Sequence, residues 1–149
     1  MAKILVSPPI DIGHLAQNFK RADIEFGDVD HSGASYEGRV FLNNPKANEA
    51  TPLTEASGYA GTFHIFGHGG CFGDEGHCHM RQPRAYDPRP GNPLTPARKV
   101  VIATEAIRRA RKAGPQLTVT VVPVITGATK KCDLEDVIKL KRILIPVYS

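Results

Sequence analysis

The segment Leu117–Ile125 reads LTVTVVPVI and is built almost entirely from apolar and β-branched residues. β-branched side chains lose rotamer freedom in a helix and pack well on a pleated sheet. A short apolar run of this length, followed by a glycine-containing polar turn, is typical of a buried strand. We therefore predict a core strand here and use it as the reference for the rest of the chain.

Shorter segments on both sides of this strand predict further strands. Phe19–Val29 alternates apolar and polar residues with a period of two, which is typical of a strand with one buried face. Tyr36–Asn43 shows the same alternation. Turn-forming Asp, Asn, Ser, Gly and Pro separate these segments. Further strands are predicted at Gly58–Phe66, Lys99–Ala103 and Ile138–Tyr148.

One short helix interrupts the strands. Glu105–Lys112 is acidic at its start and basic at its end, as the helix dipole favours. Thr104 is the predicted N-cap, and Gly114-Pro115 is a predicted helix stop. Six or seven strands with one helix predict the all-β class, as an antiparallel, jelly-roll-like β-sandwich that also carries a long loop rich in Gly, His, Cys and Pro.

The length of 149 residues suits one domain. We expect residues 1–18 to form an N-terminal arm and residues 19–149 to form the sandwich. No run of about 18 apolar residues occurs, so no membrane span is expected. The apolar run in the opening MAKILVSPPIDIGH is too short for a secretory signal. These features predict a protein that is cytoplasmic as synthesised, or one that is exported together with a partner.

The charge of the chain is modestly positive, at +4. Its basic residues cluster at Arg98-Lys99 and again over Arg108–Lys112. No aromatic residues interleave with the helical cluster and no nucleic-acid motif accompanies it, so we expect no nucleic-acid binding. The cluster is interpreted as the solvated face of the helix, or alternatively as a surface for an acidic partner protein.

Thr62–Met80, with the sequence TFHIFGHGGCFGDEGHCHM, concentrates residues that bind metals. It contains four of the six histidines and two of the three cysteines of the chain. Thiolate and imidazole ligands suit Cu(I) or zinc, and the interspersed glycines allow ligands to converge on one ion. These residue types leave copper and zinc open as alternatives. The predicted metal ligands are His68, Cys71, His77, Cys78 and His79.

The spacing of these residues leaves alternatives open. It differs from the paired C-x2-C pattern of zinc fingers and ribbons. Three consecutive residues cannot all face one ion, so we expect about two of the three at 77–79 to bind. The alternative is a surface loop in which Cys71 and Cys78 are free or form a disulfide. Asp74 and Glu75 are interpreted as acceptors for imidazole N–H groups or as solvated carboxylates. Cys132 has no ligand types near it in sequence and is interpreted as a bystander.

The order of the segments resembles a known family. Tyr36–Pro45 resembles the lysine-phenylalanine-aspartate-valine strand, and Tyr59–Phe63 the phenylalanine-alanine-glycine-serine-phenylalanine run, of plant-type polyphenol oxidases and tyrosinases. The similarity is to the C-terminal β-sandwich domain of that family, here as a stand-alone chain, and covers about residues 20–148. The matching segments are ADIEFGDVD, YEGRVFLNNP, YAGTFHIFGH, KVVIATEAIRRARKAGPQLTVTVVPV and LKRILIPVY.

The resemblance implies a role beside a copper oxidase, and with it copper as the expected metal and zinc as the alternative. In that family the sandwich covers a helical core with a histidine-bound pair of copper ions, and related domains carry cysteine or histidine residues thought to help load copper. His68 falls where plant members have a histidine. The sequence has no HxxxH pair on a predicted helix, so we expect no autonomous tyrosinase activity. The basic helix also departs from the acidic helix of plant members.

Three functions follow from these observations. The first is a copper-binding accessory protein or subunit, a copper chaperone or shield for a type 3 copper oxidase partner. The second is an interaction module held together by zinc or by a disulfide. The third is a small mononuclear copper enzyme with one ligand position open. No separate acid–base pair accompanies the loop, which counts against the third. The sequence predicts no oligomeric state.

Overall fold

The computed structural model describes residues 2–69, 85–86, 88, 96–130 and 132–149. Within these residues most of the regular secondary structure is β-strand, with one α-helix and one 3-10 turn at Glu55–Ser57. The elements are β1 (Leu5–Val6), β2 (Ile10–Asp11), β3 (Arg21–Val29), β4 (Ser35–Leu42), β5 (Tyr59–Ile65), β6 (Ala97–Ile102), α1 (Thr104–Ala113), β7 (Gln116–Leu117), β8 (Val119–Gly127), β9 (Arg142–Leu144) and β10 (Val147–Tyr148).

The strands form two antiparallel sheets that face each other. The first sheet has the order β1-β8-β4-β5. In the second, β3 pairs with β6 on one side and with β9 and β10 on the other, and β2 and β7 form a separate two-stranded ribbon. The predicted all-β, antiparallel sandwich is therefore confirmed. No helix in the described ranges is long and apolar enough to cross a membrane.

The core between the sheets is centred on aromatic side chains. Phe26 on β3 and Phe63 on β5 lie with their ring centroids 4.7 Å apart, so they join the two sheets. Tyr36 on β4 meets the same Phe63 ring edge-on at 6.2 Å. All three are at most 4% exposed. Gly38 lies under the Phe63 ring, where a Cβ atom would come within 2.4 Å of it.

The Tyr36 hydroxyl is buried without a hydrogen-bond partner among the described residues. Burial raises the pKa of Tyr36 above its usual value, and the charge on Asp30 acts in the same direction. An unpaired hydroxyl in an apolar core is unfavourable, and it persists here because the ring fills the space beside Phe63. The phenol is therefore neutral throughout the physiological pH range.

Some predicted elements are wrong in detail. The predicted strand Ile138–Tyr148 is two short strands, broken next to Pro146, which has no N–H to donate to a neighbouring strand. The predicted N-cap is also wrong: the Thr104 hydroxyl accepts a hydrogen bond from the Ala22 N–H of β3 at 3.1 Å, so it ties the helix to the sheet. The helix stop at Gly114 is confirmed.

The residues before β3 pair with the body of the domain. β1 pairs with β8 and β2 pairs with β7, and the Ile12 side chain that follows β2 is fully buried. Part of the basic helical cluster fixes this segment in place. Arg111 donates from Nη1 to the Ile12 carbonyl oxygen at 2.7 Å, and Arg108 donates from Nη2 to the Phe19 carbonyl oxygen at 2.7 Å. These two arginines therefore act within the fold.

Replacing Arg111 with alanine is expected to lower the free energy of unfolding by about 1–3 kcal/mol. The change leaves the Ile12 carbonyl oxygen without its charged donor beside a buried side chain. Lys112→Ala, at the next and exposed position, is the matched control and should stay within about 0.5 kcal/mol. Equal urea midpoints for the two variants would show that the Arg111 contact contributes nothing.

Candidate metal site

One end of the sandwich brings together three connections that are distant in sequence. They are the turn between β3 and β4, the chain leaving β5, and the chain leaving β8. We call this region the histidine end and define it by residues 30–35, 66–69, 127–130 and 132. It forms because β4 pairs with β5 with Tyr36 opposite Ile65, and β4 pairs with β8 with Ser35 opposite Gly127.

Backbone hydrogen bonds hold the end of β5 against the turn between β3 and β4. The His68 N–H donates to the His31 carbonyl oxygen at 3.0 Å, and the Gly69 N–H donates to the Gly33 carbonyl oxygen at 3.0 Å. The Gly67 N–H donates to a side chain of the same region, the Ser35 hydroxyl, at 2.9 Å. Three consecutive N–H groups therefore fix the chain where the predicted metal loop begins.

Glycine at position 67 is required for this contact. A Cβ atom there would lie 2.1 Å from the Gly33 carbonyl oxygen and 2.6 Å from the Ala34 carbonyl carbon. Both are backbone atoms, so no side-chain rotation can relieve the overlap. The absence of a side chain at Gly67 therefore sets how closely the two segments approach each other.

Two imidazoles meet at the histidine end. The Nδ1 atoms of His31 and His68 are 3.2 Å apart, and the ring centroids are 4.9 Å apart. The His68 Nδ1 atom also lies 3.1 Å from the His31 carbonyl oxygen. Because a carbonyl oxygen only accepts, we assign the proton of this contact to His68 Nδ1. His68 is exposed and His31 is half-buried.

A third connection closes this end. The Thr129 hydroxyl donates to the Gly69 carbonyl oxygen. The Thr129 N–H also donates to the Cys132 sulfur at 3.4 Å, and its hydroxyl lies 3.6 Å from that sulfur. Cys132 is a half-buried free thiol. The residue interpreted as a bystander is therefore linked to the histidine end through one threonine.

The predicted metal ligands are only partly covered by the described residues. His68 lies at the histidine end as stated above. Cys71, His77, Cys78 and His79 lie outside the described residues, as do Asp74 and Glu75. Within the described ranges no group of three or more His, Cys, Asp or Glu side chains is arranged to hold a metal ion. The ligand set therefore stays a prediction.

The other described histidines lie beside carboxylates. His64 Nε2 on β5 is 3.8 Å from Glu37 on the neighbouring strand, and its side chain is exposed. His14 Nδ1 is 3.9 Å from Asp11 in an exposed turn. His31 was not among the ligands predicted from the sequence. One feature of the sequence could have indicated it: His31 lies in the turn before β4. An antiparallel β4–β5 pair places that turn beside the end of β5.

The fold defines a class of domain: a β-sandwich of the kind that forms part of a plant polyphenol oxidase. The solved structures that the chain matches are those of recombinantly expressed latent aurone synthase, a polyphenol oxidase. The match to one of them has a TM-score of 0.55 and 15% sequence identity, and it covers 99% of this chain and 25% of the enzyme chain. The other, co-crystallised with hexatungstotellurate(VI) and soaked in H2O2, gives 0.54 at 16% identity over 98% of this chain, and covers 24% of the enzyme.

The comparison confirms the predicted resemblance at the level of the fold. The chain spans about a quarter of the length of the enzyme it matches. No family model and no curated protein matches the sequence. At this low identity the likeness concerns the arrangement of the strands and carries no residue roles.

Proposed function

We propose that this chain is a copper-binding accessory protein or subunit that acts beside a type 3 copper oxidase, covering or supplying its copper site. The observation that carries the proposal is His68, which is fixed where the Cys- and His-rich segment of the sequence begins and lies against a second imidazole. The fold supports it, because the same architecture occurs as part of a polyphenol oxidase.

The residues fit a soft or borderline transition metal. At the histidine end, the side chain of His68 supplies an imidazole, and the following segment adds two thiols and two imidazoles in sequence. We propose that Cys71 and Cys78 bind the ion together with His68 and one of His77 or His79. Thiolate ligands favour Cu(I), and binding releases the protons of both cysteines. The bound copper would be the cargo that the chain delivers to its partner. Alternatively, the chain would cover the copper site of the partner.

The proposed partner is based on the fraction of the polyphenol oxidase that this chain matches. The sandwich corresponds to about a quarter of a polyphenol oxidase, and the remainder of such an enzyme would be the surface against which this domain packs. We therefore propose a type 3 copper oxidase as the partner protein. Apo-oxidase should gain activity when mixed with the copper-loaded chain, and copper-free chain is the control for this experiment.

Cysteine variants test the copper proposal. Anaerobic titration with Cu(I) against a chromophoric chelator should give about one tightly bound ion per chain. Cys71→Ser and Cys78→Ser should each weaken binding by at least about tenfold, because each removes a thiolate ligand. Cys132→Ser is the matched control, since it removes the remaining thiol of the chain but no proposed ligand, and it should leave the affinity unchanged.

Four outcomes would contradict the proposed function. Unchanged Cu(I) affinity in both Cys71→Ser and Cys78→Ser would show that neither cysteine is a ligand. Retention of zinc in place of copper after purification without added metal would favour the zinc-bound interaction module. An intact mass under non-reducing conditions that is two hydrogens below the mass of the reduced chain would favour a disulfide between Cys71 and Cys78. Oxygen consumption by the copper-loaded chain with a catechol would instead favour the small copper enzyme.

A further inference from the structure

We infer that His31 is a metal ligand and that its Nδ1 atom, together with Nδ1 of His68, forms a two-nitrogen chelate for a copper or zinc ion. This inference rests on the proposed function and extends it, because it adds a ligand from the turn between β3 and β4. That turn is remote in sequence from the Cys- and His-rich loop, at a separation of 37 residues between the two histidines.

The distance between the two nitrogens suits a shared ion. Imidazole nitrogens bind zinc at about 2.0–2.1 Å. Two nitrogens at that distance from one ion, and 3.2 Å from each other, subtend an angle of about 100° at the ion, close to the tetrahedral value. The separation of the two nitrogens is therefore compatible with one shared ion.

The proton between the rings can be exchanged for the ion. In the metal-free protein His68 Nδ1 carries the proton and faces both the His31 ring nitrogen and the His31 carbonyl oxygen. On binding, His68 Nδ1 gives up this proton while its Nε2 takes one up, so the ring changes tautomer and both Nδ1 atoms present lone pairs to the cation. The carbonyl oxygen then faces a positive ion where it previously faced an N–H. The exchange therefore has no net release of protons and involves no oxidation or reduction.

The backbone keeps the two rings in place before the ion arrives. The hydrogen bond from the His68 N–H to the His31 carbonyl oxygen joins the two residues directly. The neighbouring bond from Gly69 to Gly33, together with that from Thr129 to Gly69, supports the same contact. A chelate formed by groups already held together loses little conformational freedom on binding, which favours affinity.

The ligand atoms available around the two imidazoles determine which class of metal ion can bind. The carboxylate closest in sequence is Asp30, whose Oδ1 atom accepts hydrogen bonds from the Ser32 N–H at 2.8 Å and the Ser32 hydroxyl at 2.7 Å. It is thus used in stabilising the turn. Two imidazole nitrogens suit copper or zinc, whereas Mg²⁺ and Ca²⁺ prefer several oxygen ligands. We expect no competition from either of those ions.

Counting imidazoles on bound Cu(II) tests this inference. The full chain, with its three cysteines replaced by serine so that no thiol reduces the metal, is loaded with one equivalent of Cu(II). Pulsed electron paramagnetic resonance then detects the remote nitrogen of each coordinated imidazole, and the histidine variants are made in this background. His31→Ala and His68→Ala should each lose one imidazole and bind about 10- to 100-fold more weakly. His64→Ala and His14→Ala, at exposed histidines beside carboxylates, are the matched controls and should lose none.

The outcomes separate this inference from the proposed function. An unchanged imidazole count in His31→Ala overturns the inference, even if affinity falls, because His31 would then only orient His68. If that result accompanies weakened Cu(I) binding in Cys71→Ser and Cys78→Ser, the proposed function stands without His31. If the number of coordinated imidazoles falls in His31→Ala but Cys71→Ser and Cys78→Ser bind copper normally, the inference stands. In that case the two cysteines are not ligands. His31→Gln, which keeps a polar side chain, should give the same count as His31→Ala and replaces it if that variant does not fold.

Discussion

Replacing Gly67 with alanine is expected to destabilise the domain by about 2–3 kcal/mol and to separate His68 from His31. The added Cβ atom would fall 2.1 Å from the Gly33 carbonyl oxygen, so the end of β5 must move away from the turn before β4. That movement breaks the bonds donated by the His68 and Gly69 N–H groups. Urea unfolding measures the loss of stability, and metal titration measures the loss of affinity.

Gly33→Ala is the matched control for this change. It lies in the same contact, but a Cβ atom there would have no neighbouring atom within 4 Å. Its unfolding free energy should stay within about 0.5 kcal/mol of the wild type and its metal affinity should not change. If Gly67→Ala behaves like Gly33→Ala, the two segments are not packed as closely as described.

Replacing Phe63 with alanine is expected to lower the free energy of unfolding by about 3–5 kcal/mol. The ring joins the two sheets through Phe26, contacts Tyr36, and covers Gly38, so its removal leaves a cavity in the middle of the sandwich. For a domain whose total stability is about 5–15 kcal/mol, this loss takes a large share of the total. Denaturant unfolding monitored by circular dichroism measures it.

Phe66→Ala provides the control for the aromatic core. Phe66 immediately follows the same strand but is 82% exposed. Its replacement removes the same number of atoms without opening a cavity, so we expect a change within about 0.5 kcal/mol. Similar losses for Phe63→Ala and Phe66→Ala would contradict the assignment of Phe63 to the core.

The apolar–polar pattern of three segments predicted two strands of the first sheet and one strand of the second. Phe19–Val29, Tyr36–Asn43 and Gly58–Phe66 match β3, β4 and β5 to within two residues at each end. The reason is physical: one face of each strand is buried, so the apolar side chains must recur every second residue. A pattern imposed by burial is visible in the sequence before any pairing is known.

Elements fixed by tertiary contacts could not be predicted in this way. The Thr104 hydroxyl is used by β3, 82 residues away, and not by its own helix. The predicted continuous strand Leu117–Ile125 is interrupted at Thr118, whose N–H donates to the Asn43 side-chain oxygen. Both partners are distant in sequence, and local propensity carries no information about them.

The same limit applies to the candidate site. Composition alone selected His68, because metal-binding residue types concentrate after β5. His31 stands alone between polar turn residues, and its contact with His68 depends on the register that sets Tyr36 opposite Ile65. A histidine pair created by strand register is invisible until the pairing is established. The roles of Cys71, His77, Cys78 and His79 stay predictions.

X-ray absorption at the copper edge of the Cu(I)-loaded chain tests most directly whether this end of the sandwich binds copper through sulfur and imidazole. The proposed ligands predict one retained ion per chain with a mixed shell of sulfur and nitrogen neighbours, and loss of the sulfur contribution in the Cys71→Ser, Cys78→Ser double variant. Failure to retain copper after desalting, or a shell of oxygen neighbours alone, would contradict the account.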